Sequence, residues 1–270
     1  MPFLLLLCLV AFAFAENSGI EKFPFFKGER LDYVISWGII TAGNASLEIK
    51  SLDNDKTEFY VLAHNNGAFK SIYPVADTIY SRIRNKNFLP EVFKKINHEG
   101  KYHASSVIRF DRVGEKAWLS DSVFTDFERK QKKRSADTVI TISGKELDII
   151  SAFYFVRQQA ELKQGKTESF SAVSGKKKYE LKVVVYGKEQ VKTKAGTFEC
   201  IKIEPILDGD GIFKAAGRLF IWLTDDNRRL PVLMKSKIAL GTIKAELTRF
   251  SQKKEEKQCV QGFLLIKCRI

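Results

Sequence analysis

Methionine, proline, histidine and cysteine are all scarce in this 270-residue chain, and acidic residues are outnumbered by basic ones. The histidines are only three: His64, His98 and His103. The last two are five residues apart, so on one regular strand their side chains would point to opposite faces. No third ligand sits at useful spacing, and a zinc site is not expected. Among the four cysteines there is no Cys-x-x-Cys, so disulfide exchange lacks its motif. A Gly-x-Ser-x-Gly elbow and a Gly-rich phosphate loop are also missing. Asp208-Gly-Asp-Gly211 opens like a calcium loop, but Ile212 and Leu219 occupy the later ligand positions, which makes it a turn. No metal or cofactor is expected, and no constellation nominates a catalytic residue.

The one strongly apolar run lies at the N-terminus, from Phe3 to Val10. It ends in Ala13-Phe14-Ala15, a small-x-small pattern that signal peptidase accepts, and the polar stretch Glu16-Asn17-Ser18-Gly19 follows. Residues 1–15 therefore read as a signal peptide, too short for the ~20 apolar residues a membrane-spanning helix needs. Export to the periplasm or beyond is the expectation, with a soluble mature chain. Cleavage removes Cys8 and leaves Cys200, Cys259 and Cys268, an odd number for an oxidising compartment. Cys200 fits a small core residue, while Cys259 and Cys268 flank a short apolar stretch and can pair.

Lys and Arg exceed Asp and Glu by 45 to 32, a formal charge of +13. Charge of this size bears on association and solubility. The densest run is Arg129-Lys-Gln-Lys-Lys-Arg134, read as a hairpin tip or loop. For an exported chain it points to an anionic membrane surface or acidic glycans rather than nucleic acid. The plainer reading is a solvated loop that discourages aggregation.

Alternation of apolar and polar residues dominates the rest, as in half-buried strands. Leu31, Tyr33, Ile35 and Trp37 alternate with polar or outward positions, and so do Ala45, Leu47 and Ile49, then Tyr179, Leu181, Val183 and Val185. Turn signals such as Asn85-Lys-Asn87, Gly187, Gly196 and Asp225-Asp-Asn227 separate these runs. Their spacing suits consecutive antiparallel hairpins. One helix interrupts them. Ser143-Gly-Lys-Glu146 reads as a capping box, and Leu147 to Leu162 follows, closed by Gly165. Leu147, Ile149, Ile150, Phe153, Tyr154, Val156 and Ala160 fall on one arc, with Arg157 near its middle and Asp148 almost opposite. The fold class is mainly β: an antiparallel curved sheet or open barrel with one amphipathic helix packed on or in it. It is expected as a single β-rich domain over 23–250, followed by a polar tail over 251–270.

Several stretches carry a family resemblance. They are Gly28-Glu-Arg-Leu-Asp-Tyr33 leading into Trp37 and Ala42-Gly43; Tyr73-Pro74 with Asp77; Asp148 to Arg157; Ala195-Gly-Thr-Phe-Glu-Cys200; and Ile221-Trp-Leu-Thr-Asp-Asp226 followed by Leu230-Pro231. Together they resemble an exported bacterial family, the domain of unknown function 3108. The resemblance implies export and a β-rich domain. It implies no reaction, ligand or catalytic residue.

Two charged residues stand out because they share a face with apolar ones. Arg157 lies within the helix stripe, and Asp77 shares a strand face with Val75, Ile79 and Ile83. A buried charge needs a partner, so the two are expected to meet inside or to border a cavity beneath the helix. The competing expectation is that Arg157 snorkels to the rim and Asp77 ends a strand. Trp37, Trp222, Phe153 and Tyr154 are candidates to line an apolar pocket; the plainer reading is that they are core. The function this supports is an envelope binding or carrier protein for a lipid or other apolar ligand, with Arg157 near its polar head. The alternatives are a structural or assembly protein that binds an envelope protein partner, and a hydrolase of envelope glycans or lipids.

Overall fold

A computed structural model describes residues 28–51, 55–158, 162–208, 217–238 and 241–251. The expected signal peptide, the tail with Cys259 and Cys268, Ala160 and most of the expected turn at Asp208–Gly211 lie outside the described residues. The first strands are β1 Arg30–Trp37, β2 Ile40–Ser51, β3 Lys56–Asn65, β4 Ala76–Arg84, β5 Leu89–Glu99, β6 Tyr102–Asp111, β7 Lys116–Phe124 and β8 Lys132–Thr141. A short helix, α1 Gly67–Ile72, sits between β3 and β4. Helix α2, Ile149–Gln158, leads to β9 Thr167–Ser174, β10 Lys177–Thr193, β11 Gly196–Asp208, β12 Arg218–Thr224, β13 Pro231–Ile238 and β14 Gly241–Ser251.

The fourteen strands of the described residues form one antiparallel sheet, in the order β8-β7-β6-β5-β4-β3-β2-β1-β14-β13-β12-β11-β10-β9. The chain runs outward from β1 to one edge, crosses through α2, and runs back from the other edge to β14 beside β1. The sheet is not closed, and its edges are β8 and β9. Each edge is protected. Leu147 bonds into β9, donating to Ser171 O at 2.9 Å and accepting from Val173 N at 2.8 Å. Along β8 the exposed Lys132, Lys133 and Arg134 discourage another strand from adding. The basic run therefore builds a turn and the start of an edge strand, rather than a loop alone.

The alternation places Leu31, Tyr33 and Ile35 inside, with Leu47, Ile49, Phe59, Val61 and Ile79 on neighbouring strands. Register shifts at Asp32/Tyr33, Ile35/Ser36 and Val185/Gly187 are bulges, which bend and twist the strands that carry them. Curvature is visible in what α2 touches. Tyr154 stacks on Phe59 of β3 with centroids 4.0 Å apart. Ala152, Phe153 and Val156 pack on Val183, Ile203 and Ile221 of β10, β11 and β12. Strands from both halves of the sheet thus meet one short helix. Eight of its ten residues are buried, which a one-sided surface helix would not show. At roughly 1.5–3 kcal/mol for each fully buried large apolar side chain, α2 is a major contributor to the core.

The helix starts later than its sequence signal. Glu146 does accept from Ser143 N at 2.7 Å and Ser143 Oγ at 3.0 Å, but this box closes a turn ahead of the helix. Asp148 is the actual N-cap: its Oδ1 accepts from Ile150 N at 2.8 Å and Ser151 N at 3.0 Å. Although almost opposite Arg157 around the helix, Asp148 is also wholly buried, and its Oδ2 accepts from Ser81 of β4 at 2.6 Å. Burial raises its pKa, because desolvation outweighs these donors.

Candidate functional site

Arg157 occupies the last turn of α2, with its side chain fully buried. It does not meet Asp77. Its Nη1 and Nη2 donate to the two carboxylate oxygens of Glu29 at 2.8 and 3.0 Å, a bidentate pair just ahead of β1. Its Nε donates to Arg229 O at 3.0 Å and Nη2 to Arg228 O at 3.1 Å. Burial opposes the guanidinium charge, but Glu29 more than restores it and the pKa is raised. The expected pairing with Asp77 is not found: Arg157 is paired inside, but with Glu29. The snorkelling alternative fails with it.

Asp77 is 4% exposed and tied to its own neighbours: Oδ1 accepts from His98 N at 2.9 Å and Oδ2 from Asn97 Nδ2 at 3.2 Å. Burial pushes its pKa up to about 7, helped by the nearby Glu99 carboxylate. Asp77 and Arg157 therefore belong to separate sites. Among the aromatic candidates, Phe153 and Tyr154 are core of α2, and the Arg157 guanidinium carbon lies 5.1 Å from the Tyr154 ring centre. Trp222 is buried on the outer face of β12, where its indole N–H donates to Glu189 at 2.6 Å and Lys202 and Lys235 cover its ring. Trp37 ends β1 and is 42% exposed. Neither tryptophan is among the described residues that border the void beneath α2 or the recess at its end.

Beneath α2 the void bordered by Ala152, Phe153 and Val156 is only 20 Å³, too small for a lipid chain. The helix fills the concavity, so a ligand site inside it is not formed among the described residues. A larger recess of 570 Å³ opens beyond the C-terminal end of α2. Leu162 and Ile201 give it an apolar floor; Lys163, Lys188 and Arg229 stand around it with Asp225. Gly187, at a bulge of β10 with φ +137°, lets the wall come close: a Cβ there would lie 3.1 Å from the Gln164 side chain.

The opposite wall is the turn between β12 and β13. Asp226 organises it by accepting from Thr224 Oγ1, Arg228 N and Arg229 N at 2.6, 3.0 and 3.2 Å. Arg229 sits in the left-handed region at φ +46°, and Arg157 holds the carbonyls on either side of that strained link. Lys188 and Arg229 share Asp225, at 2.5 and 3.2 Å, and these bonds lower the Asp225 pKa. Among the described lining residues, three cations outnumber the single carboxylate. Arg157 thus supports this site from behind without entering it. Glu29 carries no local signal of its role, because it lies 128 residues away in the chain from its partner.

A second recess, of 310 Å³, gathers all three histidines with Asn65, Lys70 and Phe127. His98 and His103 do not diverge as one strand would require. The turn at Gly100 (φ +60°) places them opposite each other on β5 and β6. Their Nδ1 atoms are 3.1 Å apart. The signal for this was a glycine at a turn between two alternating runs.

In a comparison of folds, the chain is similar to a β-barrel-like protein of the domain of unknown function DUF1849 from Brucella abortus. The two share 12% identity, with 85% of this chain and 99% of that one covered and a TM-score of 0.51. A weaker likeness is to a protein of YmcC-like fold from Bacteroides fragilis, at 10% identity, 85% and 98% coverage and a TM-score of 0.36. The first shows the β-barrel-like fold and nothing of function. No curated protein matches. The profile described as Protein of unknown function (DUF3108) matches residues 32–248, from β1 to β14 around the whole sheet, and the chain belongs to that family.

Proposed function

We propose that this chain is an exported binding or carrier protein of the cell envelope, taking an amphiphile with an acidic group in the recess at the end of α2. The recess itself carries the reading: 570 Å³ with an apolar floor and three cations, beside a helix that leaves only 20 Å³ inside the sheet. Its volume lies within the ~300–1,000 Å³ usual for ligand sites. Lys163, Lys188 and Arg229 would face the acid, Leu162 and Ile201 the first carbons of the chain. The N-terminal leader supports export, and among the described residues no helix is long and apolar enough to cross a membrane. The test is native mass spectrometry with lipid extraction on mature protein purified gently from its own host, followed by oleate titration. A stoichiometric acidic amphiphile, lost in Lys163→Glu/Lys188→Glu, is the expected result. A ligand retained unchanged by that variant would overturn the assignment of the site. The filled interior favours a second reading, a structural or assembly protein; a ligand-free mass, no oleate uptake and a co-purifying envelope protein would select it.

A further inference from the structure

His98 and His103 lie far from that recess in the chain and play no part in it. They are 9% and 8% exposed, and their imidazoles face one another across β5 and β6 with Nδ1 atoms 3.1 Å apart. Phe127 lies over His98 with centroids 4.3 Å apart and meets His103 edge-on at 5.9 Å. Burial, the neighbouring imidazole and Arg129 all hold the His98 pKa below its ordinary value. At this distance one Nδ1–H donates to the lone pair of the other Nδ1, with the roles set by the tautomers.

An ion can take that proton's place. A metal at about 2.0–2.1 Å from each nitrogen would see these two ligands at an angle of about 98°. This value lies between the right angle of tetragonal copper and the wider angle of tetrahedral zinc. We infer that His98 and His103 form a bidentate site for a divalent transition-metal ion of the zinc and copper class. Binding needs one ring to shift its proton from Nδ1 to Nε2 and both rings to turn their Nδ1 lone pairs off the line between them toward the ion. The backbone is braced for this: Asp77 accepts from His98 N, and the Gly100 turn fixes the pairing. Asn97, between them in the network, also donates to Glu99 at 3.0 Å.

Among the described residues no set of three His, Cys, Asp or Glu is placed to hold an ion. The remaining positions fall to water or to a donor atom of a molecule in the 310 Å³ cavity, which His64 also lines. Charge around the pair is mixed. Arg129 acts on His98 and Lys70 lines the cavity, which weakens cation binding, while Asp77 and Asp126 lie on the favourable side. Protonation of the imidazoles competes, so binding should weaken as the solution is acidified.

The experiment uses mature, tag-free protein titrated with Zn²⁺ and, separately, Cu²⁺. With three histidines in the chain, the imidazole ¹⁵N NMR spectrum contains three rings. The inference expects one equivalent of Zn²⁺ to move the His98 and His103 resonances, and Cu²⁺ to show two nitrogen ligands by electron paramagnetic resonance. His98→Phe and His103→Phe should each weaken Zn²⁺ binding roughly tenfold or more, at least the loss seen for outer-shell changes. Should either variant fail to fold, the wild-type spectra decide. Unmoved His98 and His103 resonances at saturating Zn²⁺, or unchanged affinity in folded variants, overturn the site. None of these readouts depends on the amphiphile recess.

Discussion

Replacing Arg157 by Met tests the central polar contact of the fold. The substitution keeps most of the stem volume and deletes the guanidinium. It strands Glu29, whose side chain is 2% exposed, together with the carbonyls of Arg228 and Arg229. Removing one member of a buried pair costs about 3–5 kcal/mol. Glu29→Met should fall at the lower end of that range, because the guanidinium keeps both carbonyls and the face of Tyr154. The double variant leaves no lone charge. Its cost is dominated by the two carbonyls, about 1–3 kcal/mol for each left unpaired. The two single costs should therefore exceed the double by a coupling on the order of 2 kcal/mol. Against a total stability of roughly 5–15 kcal/mol these differences are large. Urea unfolding of the mature proteins with matched m-values measures them. Single costs below about 1 kcal/mol that simply add would refute the reasoning, since that is how a solvated surface pair behaves.

Asp77 supplies a pH signature. Its pKa of about 7 in the fold lies above the 3.8 of an ordinary carboxyl, so the folded state binds more protons between these values. Stability from this group is full below about pH 4 and is lost as pH rises through 7, at no more than about 1.4 kcal/mol per unit. Asp77→Asn should flatten the wild-type slope across that window; parallel pH profiles would contradict it. Asp148→Ala removes a helix cap worth about 0.5–2 kcal/mol and strands the Ser81 hydroxyl, for a total of roughly 2–4 kcal/mol by chemical denaturation. Asp148→Asn should cost clearly less, because burial already favours the neutral carboxyl; equal losses would be inconsistent with that. Gly100→Ala should destabilise by about 1–2 kcal/mol, since φ is +60° and the new Cβ would come within 2.6 Å of the Tyr73 ring. A neutral effect in the same assay would show the turn to be more pliant than this geometry allows.

The sheet was legible because a strand's two faces alternate whatever its partner. Leu31, Tyr33 and Ile35 were bound to point one way, and an apolar face bounded by turns every ten to fifteen residues calls for antiparallel neighbours. The helix was legible from its 3.6-residue period. Its start was not, because Ser143 and Glu146 satisfy the capping pattern equally well in a turn, and only the burial of Asp148 against Ser81 decides between them. A strand's rule sets His98 and His103 on opposite faces, but the chain turns at Gly100 between them and the hairpin brings them face to face.

What the sequence determined by itself is therefore local and periodic: strands, one central helix, and antiparallel pairing between consecutive strands. Whether Arg157 is buried at all, which carboxylate it meets, and where space remains belonged to the tertiary structure alone. Glu29 reaches Arg157 across 128 residues because β1 and the end of α2 are brought together only when the sheet curves. The same curvature wraps the helix closely, fills the concavity and leaves open volume at its far end and beside the histidine hairpin. Pairing between distant charges and the volume left over after packing depend on how whole elements come to rest against one another. No local pattern encodes either quantity.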